Sequence, residues 1–286
     1  MKKVVLSMDV EDWYHLDYFD QDECDLSQTM LDGFDVFVEL LDSLSLPSSF
    51  FVLGEIANKK IDLFKDLVLR GHDISSHGWD HKRPMTMTLD AFQSDLYRNV
   101  ELMKEINGDS KFGYRAPCFS IDRERLDLVQ ESGFSYDSSR IEFGNHPLYG
   151  SIDMNGYENL ANSVYLKDDF VEFETTTHSY LGKNIPISGG GYLRLLPWPL
   201  MNKLIKDYLI SNGLYVFYIH PFELSKSELP KIPSSTSSLT KFRFSYGRKN
   251  VLTRIKNLID LLDSNDYEFT TFNKLYRELH RNSASS

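Results

Sequence analysis

Residues 75–81 read SSHGWDH and place His77 and His81 four positions apart, directly after a short apolar run. On one face of a turn or short helix, two such imidazoles can offer nitrogens to a cation at about 2.0–2.1 Å, the distance zinc prefers. A carboxylate would complete the set. Upstream, the stretch MDVEDWYH supplies Asp9, Glu11 and Asp12, more acids than one cation needs. Like charges so close raise one another's pKa unless a cation lies among them. Two histidines with one carboxylate leave coordination positions open, a catalytic rather than a structural arrangement. It suits zinc first, with iron, cobalt or nickel as alternatives. The expected division of labour makes Asp9 the base that takes a proton from water, and Glu11 or Asp12 the third ligand.

Two further groups fit the same chemistry. Arg115, in YRAPCF, precedes a proline-fixed backbone, and its planar guanidinium can grip Asp9 bidentately and keep that carboxylate ionised. His220, in VFYIHPF, ends the most apolar strand-like run of the chain and is expected to serve as a general acid toward a leaving amine. In GGGYLRLLPW, Gly190 and Gly191 permit close backbone approach to a ligand, and Tyr192, Arg194 and Trp198 are expected to line a substrate groove, with Asp137 at the same mouth. The basic and aromatic island KFRFSYGRK, residues 241–249, reads first as a solvated loop, with contact to a phosphate-bearing carrier as its functional alternative. Cys24 and Cys118 lie far apart without metal spacing and are assigned no role.

These side chains need a scaffold that brings them together. Apolar runs over 4–8, 49–53, 72–76, 111–116, 134–137, 170–175, 214–219 and 268–271 read as strands. Helical spacing marks Met30, Phe34, Phe37, Val38 and Leu41, then 56–70 up to Gly71, then Leu89, Phe92, Leu96, Val100 and Met103, then 123–132, 199–211 and 250–263. Residues 138–169 read as irregular, and the Ser- and Pro-rich 225–238 as a long loop. Alternating β and α units predict an α/β fold, and seven or eight strands suit a barrel better than an open sheet. Asp9 to Asp12, His77, His81, Arg115, Asp137 and His220 would then all fall at the carboxyl ends of strands, the mouth where barrel sites are built. No compositional boundary divides residues 1–286, which are expected to form one catalytic domain.

The composition bounds the partners. Hydrophobic residues are 41% of the 286, enough for a large core, and aromatics at 13% supply rings for a sugar cleft. The formal net charge of -11 argues against a general nucleic-acid binder, because nothing offsets phosphate repulsion over most of the surface. The opening MKKVVLSMDVEDW holds too few apolar residues for a signal peptide or a membrane span, so the expected location is cytoplasmic.

Taken together, DVED, HGWDH, RAPCF, YDSS and YIHPF resemble, in order, the motifs of the polysaccharide deacetylase family, also called the NodB-homology or carbohydrate esterase family 4 group. Within it the chain is similar to the branch associated with exopolysaccharide and surface-glycan clusters, through DVEDW and GGGYLRLLPW. The resemblance implies a distorted (β/α)7-type barrel and metal-dependent removal of an N-acetyl group from an amino sugar. It further implies Asp9 as base, His77 and His81 with a nearby acid as ligands, Arg115 orienting the base, and His220 as acid. The family form has adjacent aspartates, whereas Val10 and Glu11 lie here between Asp9 and Asp12; Asp12 is narrowly preferred over Glu11 as third ligand. The expected substrate is a nucleotide-linked or lipid-carrier-linked amino sugar, and an oligomer is compatible with the chain. Hydrolysis of another amide, such as an N-formyl sugar or a cyclic imide, and sugar binding without turnover are the rival readings.

Overall fold

A computed structural model describes residues 2–144, 146–161 and 163–283. Seven parallel strands form its centre. β1 (Lys3–Val10), β2 (Ser49–Val52), β3 (Asp73–Ser76), β4 (Gly113–Tyr114) and β5 (Tyr136–Asp137) follow one another in space as in sequence. Past β5 lies a meander, β6 (Glu158–Ala161), β7 (Val164–Lys167) and β8 (Phe170–Phe173), of which β8 is parallel to β5 and the other two continue antiparallel to the edge. A separate hairpin of β9 (Thr177–Tyr180) and β10 (Lys183–Pro186) precedes β11 (Leu214–Ile219), which returns parallel to the other side of β1. β12 (Glu268–Thr270) covers the start of β1 at Lys3–Val5, where β2 has not yet begun.

Among the described residues no ladder between β8 and β11 closes the ring. Instead, Val216 N donates to Thr176 Oγ1 at 2.8 Å and Tyr218 N to Ser188 O at 2.9 Å, so the barrel is a distorted one. Every residue of β1 and of β11 is buried, as expected of parallel strands covered on both faces. Helices do the covering: α1 (Asp32–Leu44), α2 (Gly54–Lys59), α3 (Ile61–Leu69), α4 (Leu89–Asn107), α5 (Arg123–Glu131), α6 (Gly190–Leu195), α7 (Trp198–Leu209), the short α8 (Pro221–Leu224), α9 (Ser238–Ser245), α10 (Arg248–Asp263) and α11 (Phe272–Ser283). α4 and α5 start where their sequence says, with Thr88 accepting from Ala91 N and Asp122 from Arg125 N.

Three expectations are corrected. The single helix over 56–70 is two, because Lys60 leaves helical geometry at φ −137° and separates α2 from α3. The irregular stretch holds the β6–β7 hairpin, hidden because β6 is exposed along its length and carries no alternation. The basic island is no solvated loop: it is the end of α9, a turn at Gly247 and the start of α10, with Phe244 buried and Arg248 donating to the carbonyls of Phe222 and Ser225. No described helix is long and apolar enough to cross a membrane.

Candidate active site and cation centre

The loop after β3 is held from below before it is used. α2 begins beneath it, and its first amides, Gly54 N and Glu55 N, donate to the carbonyls of Gly78 and Trp79 at 2.8 and 3.1 Å. Trp79 lies directly over Gly54: a Cβ there would sit 2.4 Å from the indole. With the loop fixed, His77 Nδ1 meets the carbonyl of Arg115 at 2.8 Å. Nδ1 therefore carries the proton and donates, which leaves the Nε2 lone pair free as a ligand.

Glu11 completes the group. Its Oε2 lies 2.5 Å from His81 Nε2 and 4.0 Å from His77 Nε2, and all three side chains are buried. One ligand atom from each of Glu11, His77 and His81 falls within 4.8 Å of the others. Glu11 Oε2 is buried against His81 Nε2 with no other partner among the described residues, and a cation between the two atoms would satisfy both. Two imidazoles and one carboxylate are the donor set of an open catalytic site, so the residues fit a divalent metal.

Charge follows the same geometry. Burial would raise the Glu11 carboxyl, but the facing His81, with His220 and His77 beyond it, holds it down at about 2. His81 is pushed the other way: burial disfavours its charge, yet Glu11 and Asp17 lift it to about 10. His77 is lowered to about 4, chiefly by burial.

Asp12 is elsewhere, which overturns the preference for it as third ligand. Oδ1 accepts from Trp13 N and Met30 N, both at 2.8 Å, and Oδ2 accepts from the Thr29 hydroxyl at 2.5 Å. It ties the chain after β1 to the segment leading into α1. Asp9 and Glu11 both line the cleft, whereas Asp12, beyond the end of β1 and a turn in which Glu11 N donates to Asp9 O at 3.1 Å, has turned away from it.

Asp9 sits beside the triad with its Oδ1 2.6 Å from Arg115 Nη1. The grip is through one N–H rather than two, and three other N–H groups of the guanidinium point elsewhere: Nε donates to Ser138 O, Nη2 to Ser138 Oγ, and Nη1 also to Ser7 Oγ, each at 3.0 Å. Asp9 Oδ2 is left to face the cleft, 3.9 Å from His220 Nε2. His220 also looks toward Glu11 Oε1 at 3.6 Å, and its Nδ1 lies 3.2 Å from Glu223 Oε2. Burial would lower His220, but Glu223, Glu11 and Asp9 outweigh it and raise its pKa. Its side chain keeps 20% exposure, where Asp9 and Glu11 keep 2% each, so it meets the cleft as the more accessible group.

The expected substrate-facing residues divide. Gly191, Tyr192 and Arg194 line a cleft of about 400 Å³ that opens over Asp9, Glu11, His77, His81 and His220. Gly190 does not line it; a Cβ there would lie 2.2 Å from Glu223 Oε2, so this glycine admits the carboxylate that backs His220. Arg194 serves the same carboxylate, donating Nε to Glu223 Oε1 at 2.7 Å from a buried position. Trp198 begins α7 and packs on the main core instead of the groove. Asp137 is fully buried behind the site, where it accepts from Ser139 N and Oγ and so fixes the turn whose Ser138 holds Arg115.

The sequence reading missed the aromatic wall. Phe143, His146 and Tyr149 come from the irregular stretch and stand with Tyr18, Phe119 and Tyr192 around the cleft, with Arg243 of α9 at its edge. The His146 and Tyr149 rings meet at a 34° tilt with centroids 3.9 Å apart, and Phe143 meets Tyr192 edge-on at 6.0 Å. Only their ring content, in a segment without periodicity, could have drawn attention to them.

Two segments of the chain match known families. Residues 23–136 match the polysaccharide deacetylase family, and residues 138–277 match a domain of unknown function, DUF3473. The first holds His77, His81 and Arg115; the second holds His220. Among curated proteins the chain is similar to a peptidoglycan deacetylase of Helicobacter pylori, 29% identical over 136 residues, which is 48% of this chain and 46% of that protein. The chain thus spans less than half the length of that relative. Among solved structures it resembles one from Mycobacterium smegmatis assigned to the polysaccharide deacetylases (17% identity, 99% of this chain and 92% of that one, TM-score 0.58). It also resembles a Puue allantoinase structure (13% identity, 97% and 90%, TM-score 0.60). At these identities the structural likeness speaks for the fold.

Proposed function

Since residues 23–136 belong to the polysaccharide deacetylase family, we propose that the chain is a metal-dependent hydrolase that removes an N-acetyl group from an amino sugar, within a surface-glycan or exopolysaccharide pathway. One observation carries the reading: a buried carboxylate tied to an arginine, a two-histidine and one-carboxylate triad, and a carboxylate-backed histidine all face one aromatic-walled cleft. The two matched segments supply complementary parts of that cleft, which supports taking residues 1–286 as one catalytic unit.

Glu11, His77 and His81 would hold a divalent cation, zinc first, which when bound supplies Lewis-acid polarisation of the acetyl carbonyl and lowers the pKa of water. Asp9 acts as base, because Arg115 pins one oxygen while the other faces the cleft. His220 acts as acid: Glu223 holds Nδ1, aims the ring and favours its protonated form, so that Nε2 presents a proton to the departing amine. Asp9 Oδ2 and His220 Nε2 lie 3.9 Å apart in the same cleft, so a base for the water and an acid for the amine are within reach of one reacting group. Phe143, His146, Tyr149 and Tyr192 offer ring faces to a sugar. Arg243 at the edge supports a substrate that carries negative charge, in keeping with a nucleotide- or lipid-carrier-linked amino sugar in the cytoplasm.

The test is acetate release by protein of verified metal content from a panel of N-acetylated amino sugars, free, nucleotide-linked and oligomeric, with N-formyl and cyclic-imide compounds alongside. Acetate release that Asp9→Asn abolishes is the expected result. Turnover of only the formyl or imide compounds, or of nothing in the panel, would reject the deacetylase reading.

A further inference from the structure

On the Nδ1 side of His81, lining the same cleft as Glu11, lies a second convergence of ligand atoms. We propose that Asp17, His81 and Cys118 form a second cation site, selective for thiophilic ions, which competes with the Glu11–His77–His81 site for the one imidazole they share. The three side chains bring ligand atoms within 4.8 Å of one another. His81 is 5% exposed, and its Nδ1 is buried without a hydrogen-bond partner among the described residues. That nitrogen points at Asp17 Oδ2, 3.5 Å away and out of hydrogen-bond alignment. Cys118 Sγ lies 3.1 Å from the same oxygen. Arg83 Nε holds Asp17 Oδ1 at 2.9 Å, which turns Oδ2 inward.

The backbone supports a built arrangement. His81 and Cys118 both adopt left-handed conformations, at φ 62° and 54°, which residues with side chains rarely take. Each places its donor at the shared point. Sulfur, imidazole nitrogen and carboxylate oxygen are a donor set for zinc and cadmium, and the thiolate disfavours magnesium or calcium.

Competition follows from the imidazole itself, since a neutral ring has one lone pair and one N–H. When Nε2 is the ligand, as the proposed function requires, Nδ1 carries the proton. A cation on Nδ1 and Cys118 reverses this: the thiol proton and any second ring proton leave to solvent, and Nε2–H then donates to Glu11 Oε2. The second site stands on its own atoms; only the competition rests on the first being a cation site.

Cadmium alone is a sufficient probe, in a Cys24→Ser background that removes the other thiol. Titration of metal-free protein is expected to give ultraviolet sulfur-to-cadmium charge-transfer absorption that saturates at one equivalent. Cys118→Ser should abolish it, and Asp17→Asn should weaken binding at least tenfold. No such absorption in the parent protein, or one that Asp17→Asn leaves unchanged, would overturn the second site. Cobalt-loaded protein tests the competition by equilibrium dialysis: cadmium should release cobalt one for one in the parent and not in Cys118→Ser. Retention of both ions would overturn the competition while leaving the site; failure of cobalt to bind at all would count against the first site alone.

Discussion

Arg115 holds Asp9 by a single N–H, Nη1 to Oδ1 at 2.6 Å, with both side chains shut away from water. The same guanidinium reaches Ser7 and both oxygens of Ser138, and it lies 4.0 Å above the Phe51 ring. A lysine cannot make this planar set of contacts. Arg115→Lys is expected to keep the charge and lose the aim, lowering kcat roughly 100-fold with bound metal unchanged. Steady-state kinetics with elemental analysis checks it; wild-type kcat would remove Arg115 from the positioning of the base.

Glu11 and Asp12 are separable by the same measurement. Glu11→Gln is expected to lose bound metal and activity together. Asp12→Ala should retain the metal and instead cost about 1–2 kcal/mol of stability, since it removes the acceptor of Trp13 N, Met30 N and the Thr29 hydroxyl. Metal loss in folded Asp12→Ala at full Glu11 occupancy would reverse the assignment.

His220 depends on a buried carboxylate beside it at the cleft, 3.2 Å from its Nδ1. Glu223 is buried and pulled to about 2, against the cost of burial, by Arg194 and His220. Glu223→Gln removes the group that aims His220 and favours its proton, so kcat is expected to fall roughly 100-fold with little change in KM. Gly190→Ala should mimic it, because the new methyl would collide with the Glu223 carboxylate. Equal losses in KM and kcat for both variants would instead point to a disturbed cleft.

How far the sequence carried differs between residues for physical reasons. β11 was legible to the residue because 214–219 is an unbroken apolar run bounded by Gly213 and the His220–Pro221 pair. His77 and His81 were legible as a pair, but the choice between Glu11 and Asp12 was not, because β1 ends at Val10 and the turn that follows, with Glu11 N donating to Asp9 O, breaks the strand period. Asp137 misled because the end of a short strand gives no sign of which way its side chain turns; here it meets Ser139 and its neighbour in register, Glu172. The aromatic wall has no local signature, since Tyr18, Phe143, His146 and Tyr192 meet only through tertiary packing.

That register pair makes stability depend on pH. Asp137 and Glu172 face each other on β5 and β8, fully buried, and burial with mutual repulsion raises the carboxyl of Glu172 well above its usual range. The unfolded groups titrate near ~4. A folded group raised above its unfolded value contributes stability that is complete below the unfolded pKa and is lost as pH rises through the folded one. The urea midpoint is therefore expected to fall between pH 5 and pH 8, and Glu172→Gln to flatten the fall and gain about 1 kcal/mol at pH 8. An identical pH profile in the variant would show that the pair ionises freely.

Arg243 is the residue at which a charged substrate can be tested. It lines the cleft beside Tyr192 and His146, and it has no acidic partner among the described residues, whereas Arg83, Arg115 and Arg194 are each paired to a carboxylate. An unpaired guanidinium at a sugar cleft favours a phosphate or carboxylate on the ligand. Arg243→Gln is expected to raise KM about tenfold for a nucleotide-linked amino sugar, the order of one charge-assisted hydrogen bond, and to leave kcat and the KM for a neutral oligosaccharide unchanged. Added salt should weaken the wild type toward the variant, because the contact is exposed and screened. Equal effects on neutral and charged substrates would remove the charged carrier from the proposed function and leave Arg243 as part of the cleft wall.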